Sequence, residues 1–201
     1  MLNKYTFFIL VLMSAGQSSF SQDRVFSLTY QSDVLPAGVK EMEYSTTVRS
    51  GRKEFYNAID QRLELELGLG KKVQTAFYLN LNSEKIGVGD SLIIGKTEAG
   101  FSNEWKFKLT DPVANNVGSA LYAEVGFNGD EIELEGKIIL DKRFGNNLVA
   151  FNGVYEYEIE FEAEGDEIEA EVETPWELDF AYMHFIGSHC GLGLEVRNQP
   201  V

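Results

Sequence analysis

The chain has 201 residues, with 32 acidic against 17 basic side chains, a formal charge of -15 at pH 7 and a single cysteine. The acidic balance leaves no basic face for phosphate and so excludes nucleic acid as a partner. Cys190 alone excludes an internal disulfide, the Cys/His spacings of zinc sites are absent, and no cofactor is expected.

Residues 1–21, MLNKYTFFILVLMSAGQSSFS, carry Lys4, an apolar run from Phe7 to Met13, and small Ser19 and Ser21 around Phe20. That is the pattern of a secretory signal peptide cleaved after Ser21. The run falls short of the roughly 20 residues of a spanning helix, and no cysteine follows it for lipidation. One exported domain over 22–201 is the expectation.

After Asp23, Phe26, Leu28 and Tyr30 alternate briefly before a Pro36/Gly38 break, which reads as a short strand or an N-terminal arm. Met42, Tyr44, Thr46 and Val48 then oppose Glu41, Glu43, Ser45 and Thr47 at strand period, and Ser50-Gly51-Arg52-Lys53 is a turn. Ile59, Leu63, Leu65 and Leu67 oppose Asp60, Arg62, Glu64 and Glu66; Gly70-Lys71 turns the chain into Val73, Thr75, Phe77, Leu79 and Leu81. These two strands form a hairpin. Asn82 to Gly100 reads as a long glycine-rich connection.

Phe101, Asn103, Trp105, Phe107 and Leu109 alternate with Ser102, Glu104, Lys106 and Lys108 before the break TDPVANN. The strand from Val117 to Phe127 follows, and Asn128-Gly129 is a strong signal for a two-residue turn. Ile132, Leu134, Ile138 and Leu140 alternate with Glu133, Glu135 and Lys137. The stretch Val154 to Phe180 is the most regular: Tyr155, Tyr157, Ile159 and Phe161 oppose Glu156, Glu158 and Glu160, Gly165-Asp166 turns, and Ile168, Ala170 and Val172 oppose four more glutamates. A last strand runs from Gly191 to Arg197.

Nine strands result, most near the length of about 9–11 residues that crosses a bilayer when tilted, whereas strands of soluble sheets are nearer about five or six. Lipid admits sheets only as closed barrels, because each edge amide must be paired. The alternation then predicts an all-β, antiparallel up-and-down transmembrane β-barrel, apolar outside, with aromatic side chains such as Tyr44, Phe101, Phe127, Tyr155, Phe161, Trp176 and Tyr182 near strand ends. Its lumen would be lined by Arg62, Glu64, Glu66, Lys106, Lys108, Glu133, Glu135, Lys137, Glu156, Glu158, Glu160 and Arg197. Such a mixture suits a wet interior and not the dry core of a sandwich. The competing arrangement is a soluble antiparallel sheet whose apolar face packs on a second sheet.

Several stretches also carry a resemblance. TYQSDVLPAGVKEMEY, RSGR, DQRLELELGLGKKVQTAFYLNLN, EWKFKLTDPV and ELEGKIILDKRFGN together resemble outer-membrane β-barrel proteins of Bacteroidota that are described as transporters without an assigned substrate. The resemblance implies a fold and an address, the outer membrane of a Gram-negative bacterium, and no catalytic residue. In that family further strands follow the one that here reads GLGLEVRN. The odd strand count, the missing antiparallel successor and the end NQPV, without a terminal aromatic, join this in predicting a larger barrel cut short at Val201.

Ser188, His184 and His189 do not assemble a nucleophile, base and orienter on an extended segment, so no enzyme is expected. Glutamates at every second position make a ladder and not a closed metal cage. Arg62, Lys106, Lys108, Lys137 or Arg197 are expected to face that ladder and relieve its repulsion. The functional expectation is a passive channel or transporter for a small solute, with outer-membrane lipid and the barrel-assembly machinery as partners. The alternatives are a structural or binding barrel with a plugged lumen, and a soluble secreted β-sheet binding protein.

Overall fold

Ten antiparallel strands follow one another up and down: β1 (Lys40–Ser50), β2 (Tyr56–Gly70), β3 (Val73–Val88), β4 (Leu92–Thr110), β5 (Gly118–Asn128), β6 (Glu131–Phe144), β7 (Asn147–Glu164), β8 (Glu167–Glu173), β9 (Trp176–Ile186) and β10 (Cys190–Asn198). The structure, a computed structural model, describes residues 25–51, 55–88, 92–164, 167–187 and 190–198. The leader over 1–21, the residues Arg52 and Lys53, the Gly165-Asp166 turn and the pair Ser188 and His189 lie outside the described residues. Each strand pairs with its sequence neighbour, except that β8 and β9 both pair with β7. The sheet curls through 251° into an open half-barrel with β1 and β10 at its two edges.

The alternation places the strands well, and the differences have local causes. By alternation the stretch after Gly165-Asp166 reads as one strand to Phe180, yet Thr174 and Pro175 divide it into β8 and β9. The two halves keep one register against β7, with Glu158 opposite Glu173 and Tyr155 opposite Trp176. Between them the Glu156 N–H donates to the Pro175 carbonyl at 3.0 Å, but proline has no N–H to return. Ten strands are thus nine rows of wall, one interrupted at a proline.

Asn82 to Gly100 is no loose connection. β3 runs on to Val88 and β4 starts at Leu92, so the hairpin continues above the rest of the wall. Its alternation is hard to read because Ser83, Lys85, Gly95 and Thr97 place polar or small residues on the face that is apolar lower down. For the same reason Phe101 lies in mid-strand, and Tyr155 sits midway along β7, so neither marks a strand end.

Side-chain parity sorts the faces. The convex face is apolar and open: the row Tyr44, Leu63, Leu79, Phe101, Phe127, Ile132, Ile159 and Val172 crosses eight strands by direct pairing without a polar residue. Met42, Leu79, Leu134, Ile138 and Leu192 on this face are each about half exposed or more.

The concave face carries the charge, and the N-terminal segment 25–39 lies across it instead of forming a strand. Phe26 is buried with Leu148, Ala150 and Ala181, while Tyr30 packs on Ala120, Tyr122 and Ile139. Polar side chains of the wall satisfy the segment's backbone, since it has no ladder of its own. Glu195 accepts from the N–H groups of Ser27, Leu28 and Thr29 at 2.8, 2.8 and 3.0 Å. Asn152 binds both the N–H and the carbonyl of Tyr30, at 2.6 and 3.0 Å, and Gln74 accepts from Leu35 N–H at 2.8 Å. Close approach also demands glycine: a Cβ on Gly68 would stand 2.1 Å from the Pro36 carbonyl oxygen.

Candidate functional site

The inward residues line up laterally because strand register joins positions that are far apart in sequence. One row reads Glu41, Glu66, Ala76, Glu104, Glu124, Glu135, Glu156, with glutamate at six of its seven positions. The next row, toward the β1–β2 connection, reads Glu43, Glu64, Tyr78, Ser102, Gly126, Glu133, Glu158, Glu173. On the opposite side of the glutamate belt the row from Gln74 reads Lys106, Tyr122, Lys137, Val154 and Glu177. The wall therefore carries an acidic belt with two lysines directly beneath it.

All twelve residues expected to line a lumen project to the concave side. They fall into separate groups. Glu133, Glu135 and Glu156 bring carboxylate oxygens within 4.8 Å of one another. Glu158 and Glu160 join Glu131, Glu171 and Glu173 around a recess of about 130 Å³ at the rim.

The expected relief of repulsion is narrower than the sequence suggests. Lys137 is ion-paired with Glu135 at 2.8 Å and also sits 4.6 Å from the Tyr122 ring centre. Lys108 instead binds Asp33 of the N-terminal segment at 2.6 Å and Asp111 at 2.8 Å. Arg197 pairs across β9 with Glu177 at 2.7 Å and Asp179 at 3.4 Å. Arg62 donates to Asn80 Oδ1 at 2.8 Å and stacks over Tyr78 at 4.7 Å. These three cations find partners within reach of their own strands, so they do not serve the β6–β7 ladder.

Above the segment the concave face holds a cavity of about 480 Å³. One side offers Ser45, Thr47, Asn80 and Arg62, and the other Glu131 and Glu133. The arrangement can accept small polar molecules and favours cations on its acidic side. Tyr78 donates its hydroxyl to Glu104, and Tyr122 donates to Glu124, which fixes two members of the belt.

By their parity in the sequence Tyr78, Glu104 and Glu124 fall on the inward side, but alternation assigns them no part. Asp141, Asn152, Glu177 and Asp179 escaped it, although all are buried on the same side. Asp111 lies in the turn below β4, where the Lys108 ammonium and then the Ala114 and Val113 N–H groups hold its carboxyl well below the usual range. His184 stands on the convex side, 2.9 Å from Asn147 Oδ1. No helix among the described residues is long and apolar enough to cross a membrane, which says nothing of crossing by strands.

These features define a class: an antiparallel up-and-down half-barrel with an apolar convex face and a charged concave face. The chain belongs to a family of unknown function, DUF6662, whose profile matches residues 18–197. No curated protein and no solved structure matches it.

Proposed function

We propose that this chain forms the wall of an outer-membrane β-barrel that passes or transports a small solute through a lumen biased toward cations. The observation that carries the reading is the inversion of the faces. A water-soluble sheet buries its apolar side, whereas here the apolar side is convex and open and the charged side is turned inward. Soluble monomers rarely expose large contiguous apolar patches, and here one apolar row crosses eight strands on the open face. One polar side chain in mid-wall on the convex face is internally satisfied: Asn103 Nδ2 donates to Thr75 Oγ1 at 3.1 Å and to the Ala76 carbonyl at 2.9 Å, and its Oδ1 accepts from Trp105 Nε1 at 2.7 Å. Lipid requires such closure and water does not.

Both edges must also find partners in lipid. A curl of 251° over eight steps is about 31° per step, so a full turn takes about eleven or twelve strands. About two or three more strands against β1 and β10 would complete it.

A second reading, a barrel that binds or stabilises without conducting, is favoured by the segment 25–39 lying across the concave face. Planar-bilayer conductance separates the two. Steps of cation-selective current, with selectivity reduced in a Glu156→Gln, Glu158→Gln, Glu160→Gln triple variant, support the channel; a membrane-inserted protein that passes no current supports the plugged barrel. A folded monomer in buffer without detergent refutes both.

A further inference from the structure

The cavity above the N-terminal segment is lined by charges of both signs, and most of them already have partners. Of its carboxylates, Asp60 pairs with Arg49 at 2.8 Å, Glu135 with Lys137 at 2.8 Å, and Glu124 accepts from the Tyr122 hydroxyl. Of its cations, Lys137 is held by Glu135, and Arg197 by Glu177 and Asp179. Three lining groups are left over. Among the described residues Arg62 makes no ion pair, and the carboxylates of Glu131 and Glu133 accept no hydrogen bond and meet no cation.

Strand register sets these groups on opposite sides of the cavity. Arg62 and Glu131 share one lateral row, Ser45, Arg62, Asn80, Gly100, Asn128, Glu131, and Glu133 stands two residues further along β6. Ser102 and Gly126 lie between the two sides, so little side chain fills the wall there; a Cβ on Gly126 would meet nothing closer than 3.5 Å. The Arg62 guanidinium is held in place, with Asn80 Oδ1 accepting from Nε at 2.8 Å and the Tyr78 ring 4.7 Å away. Its two terminal nitrogens donate to no described residue. That fork matches a carboxylate, which it can take by two parallel hydrogen bonds.

A carboxylate suits the guanidinium and an ammonium suits the two glutamates, so the complementary molecule carries one of each. A sphere of 480 Å³ is about 10 Å across. The charges of a single amino acid stand too close together to span it, whereas a peptide chain advances about 3.3–3.6 Å per residue. We infer that the cavity binds a short peptide of about two or three residues with free ends, its carboxylate on Arg62 and its ammonium at Glu131 and Glu133. The side chains of Ser45, Thr47 and Ser102 offer hydrogen bonds to the peptide backbone between those ends. This names the class of solute for the transport reading and rests on that reading for passage, but binding itself needs only the folded sheet.

Trialanine is titrated calorimetrically into the full chain folded in nonionic detergent, beside its N-acetyl form, its C-terminal amide and free alanine. One saturable site is expected for trialanine. Either cap should weaken it about tenfold or more, since each removes a charge-assisted contact, and alanine should bind at least as weakly as the capped forms. Arg62→Met is expected to bind trialanine and its amide alike while still preferring the free ammonium. The double variant Glu131→Gln, Glu133→Gln is expected to bind trialanine and its N-acetyl form alike while still preferring the free carboxylate. A general disturbance of the cavity would weaken all the ligands together and leave both preferences in place. Should Arg62→Met lose its β-sheet circular dichroism, the double variant and the capped ligands on the parent decide. Absence of a saturable site in the parent overturns the inference. So does equal affinity for capped and free trialanine, alanine binding as tightly as trialanine, or a folded variant that keeps the preference it should lose. No bilayer is used, so a failed titration removes the peptide as ligand while conductance still tests the channel.

Discussion

Leu134→Lys tests the open convex face most directly. Leu134 sits in mid-wall on β6, between Val125 of β5 and Tyr157 of β7, and is 48% exposed. If that face meets water, about half of the leucine already does. Replacement then forfeits at most half of the burial worth of a leucine, about 1 kcal/mol, and the lysine stem covers part of the same surface. If the face meets lipid, the ammonium enters hydrocarbon at a cost of about 2–4 kcal/mol near the midplane. The ratio of folded to unfolded protein then falls about 30- to 1000-fold, against about fivefold in water. Urea titration in phospholipid vesicles, followed by the emission of Trp105 and Trp176 and by heat-modifiable gel mobility, measures the difference. Thr47→Lys, on the concave side, serves as the control and is expected to stay within about 0.5 kcal/mol. A loss of 1 kcal/mol or less for Leu134→Lys in vesicles refutes the assignment of the convex face to lipid.

Asn152→Ala leaves the part-buried N–H and carbonyl of Tyr30 without their partner, a cost of about 1–3 kcal/mol, and the Tyr30 amide should lose its protection from hydrogen exchange. Gly68→Ala puts a methyl group into the Pro36 carbonyl, so limited proteolysis should cut the N-terminal segment faster while the strands remain intact by circular dichroism. Asp111 is held low, so its contribution is present above the ordinary carboxylate range and is lost only as pH falls through the lowered value. Exchange protection at Val113 and Ala114 should accordingly persist at about pH 4, where an ordinary aspartate is half protonated, and should disappear in Asp111→Asn at any pH. Asn103→Ala leaves the Trp105 indole N–H and the Ala76 carbonyl without their partner on the convex face, which should cost about 1–3 kcal/mol in vesicles and little in a soluble setting, where water replaces it.

How much of this was legible in the sequence depends on which physical period a feature obeys. Strands with one apolar and one charged face announce themselves, so Leu63 to Leu67, Phe101 to Leu109 and Tyr155 to Phe161 are plain from alternation alone. The upper halves of β3 and β4 are not, because polar residues on both faces leave no period to detect. Pro175 was visible, but its effect required knowing that Glu156 stands opposite it. The glutamate belt was hidden differently. Glu41, Glu66, Glu104, Glu124, Glu135 and Glu156 have no regular spacing, and only the registers of six strand pairs align them. Inward parity could be predicted residue by residue; lateral order could not.

The N-terminal segment bears on how a solute could move at all. A wall with charges on its concave side has little apolar material of its own to pack there, and both described apolar clusters on that side contain a residue of the segment, Phe26 in one and Tyr30 in the other. Tyr30 meets the Tyr122 ring edge-on at 5.2 Å, and the Lys137 ammonium lies 4.4 Å from its centre, so the segment also helps to hold a cation of the wall. Glycines at 68 and 118 give up side chains where the segment approaches, with Ser32 Oγ standing 2.6 Å from where a Gly118 Cβ would be. A detachable plug would not need such fitting on both sides. The segment is better understood as the core of the fold, and a path for solute then has to run past it, along the acidic side of the upper cavity, and not through the space that it fills.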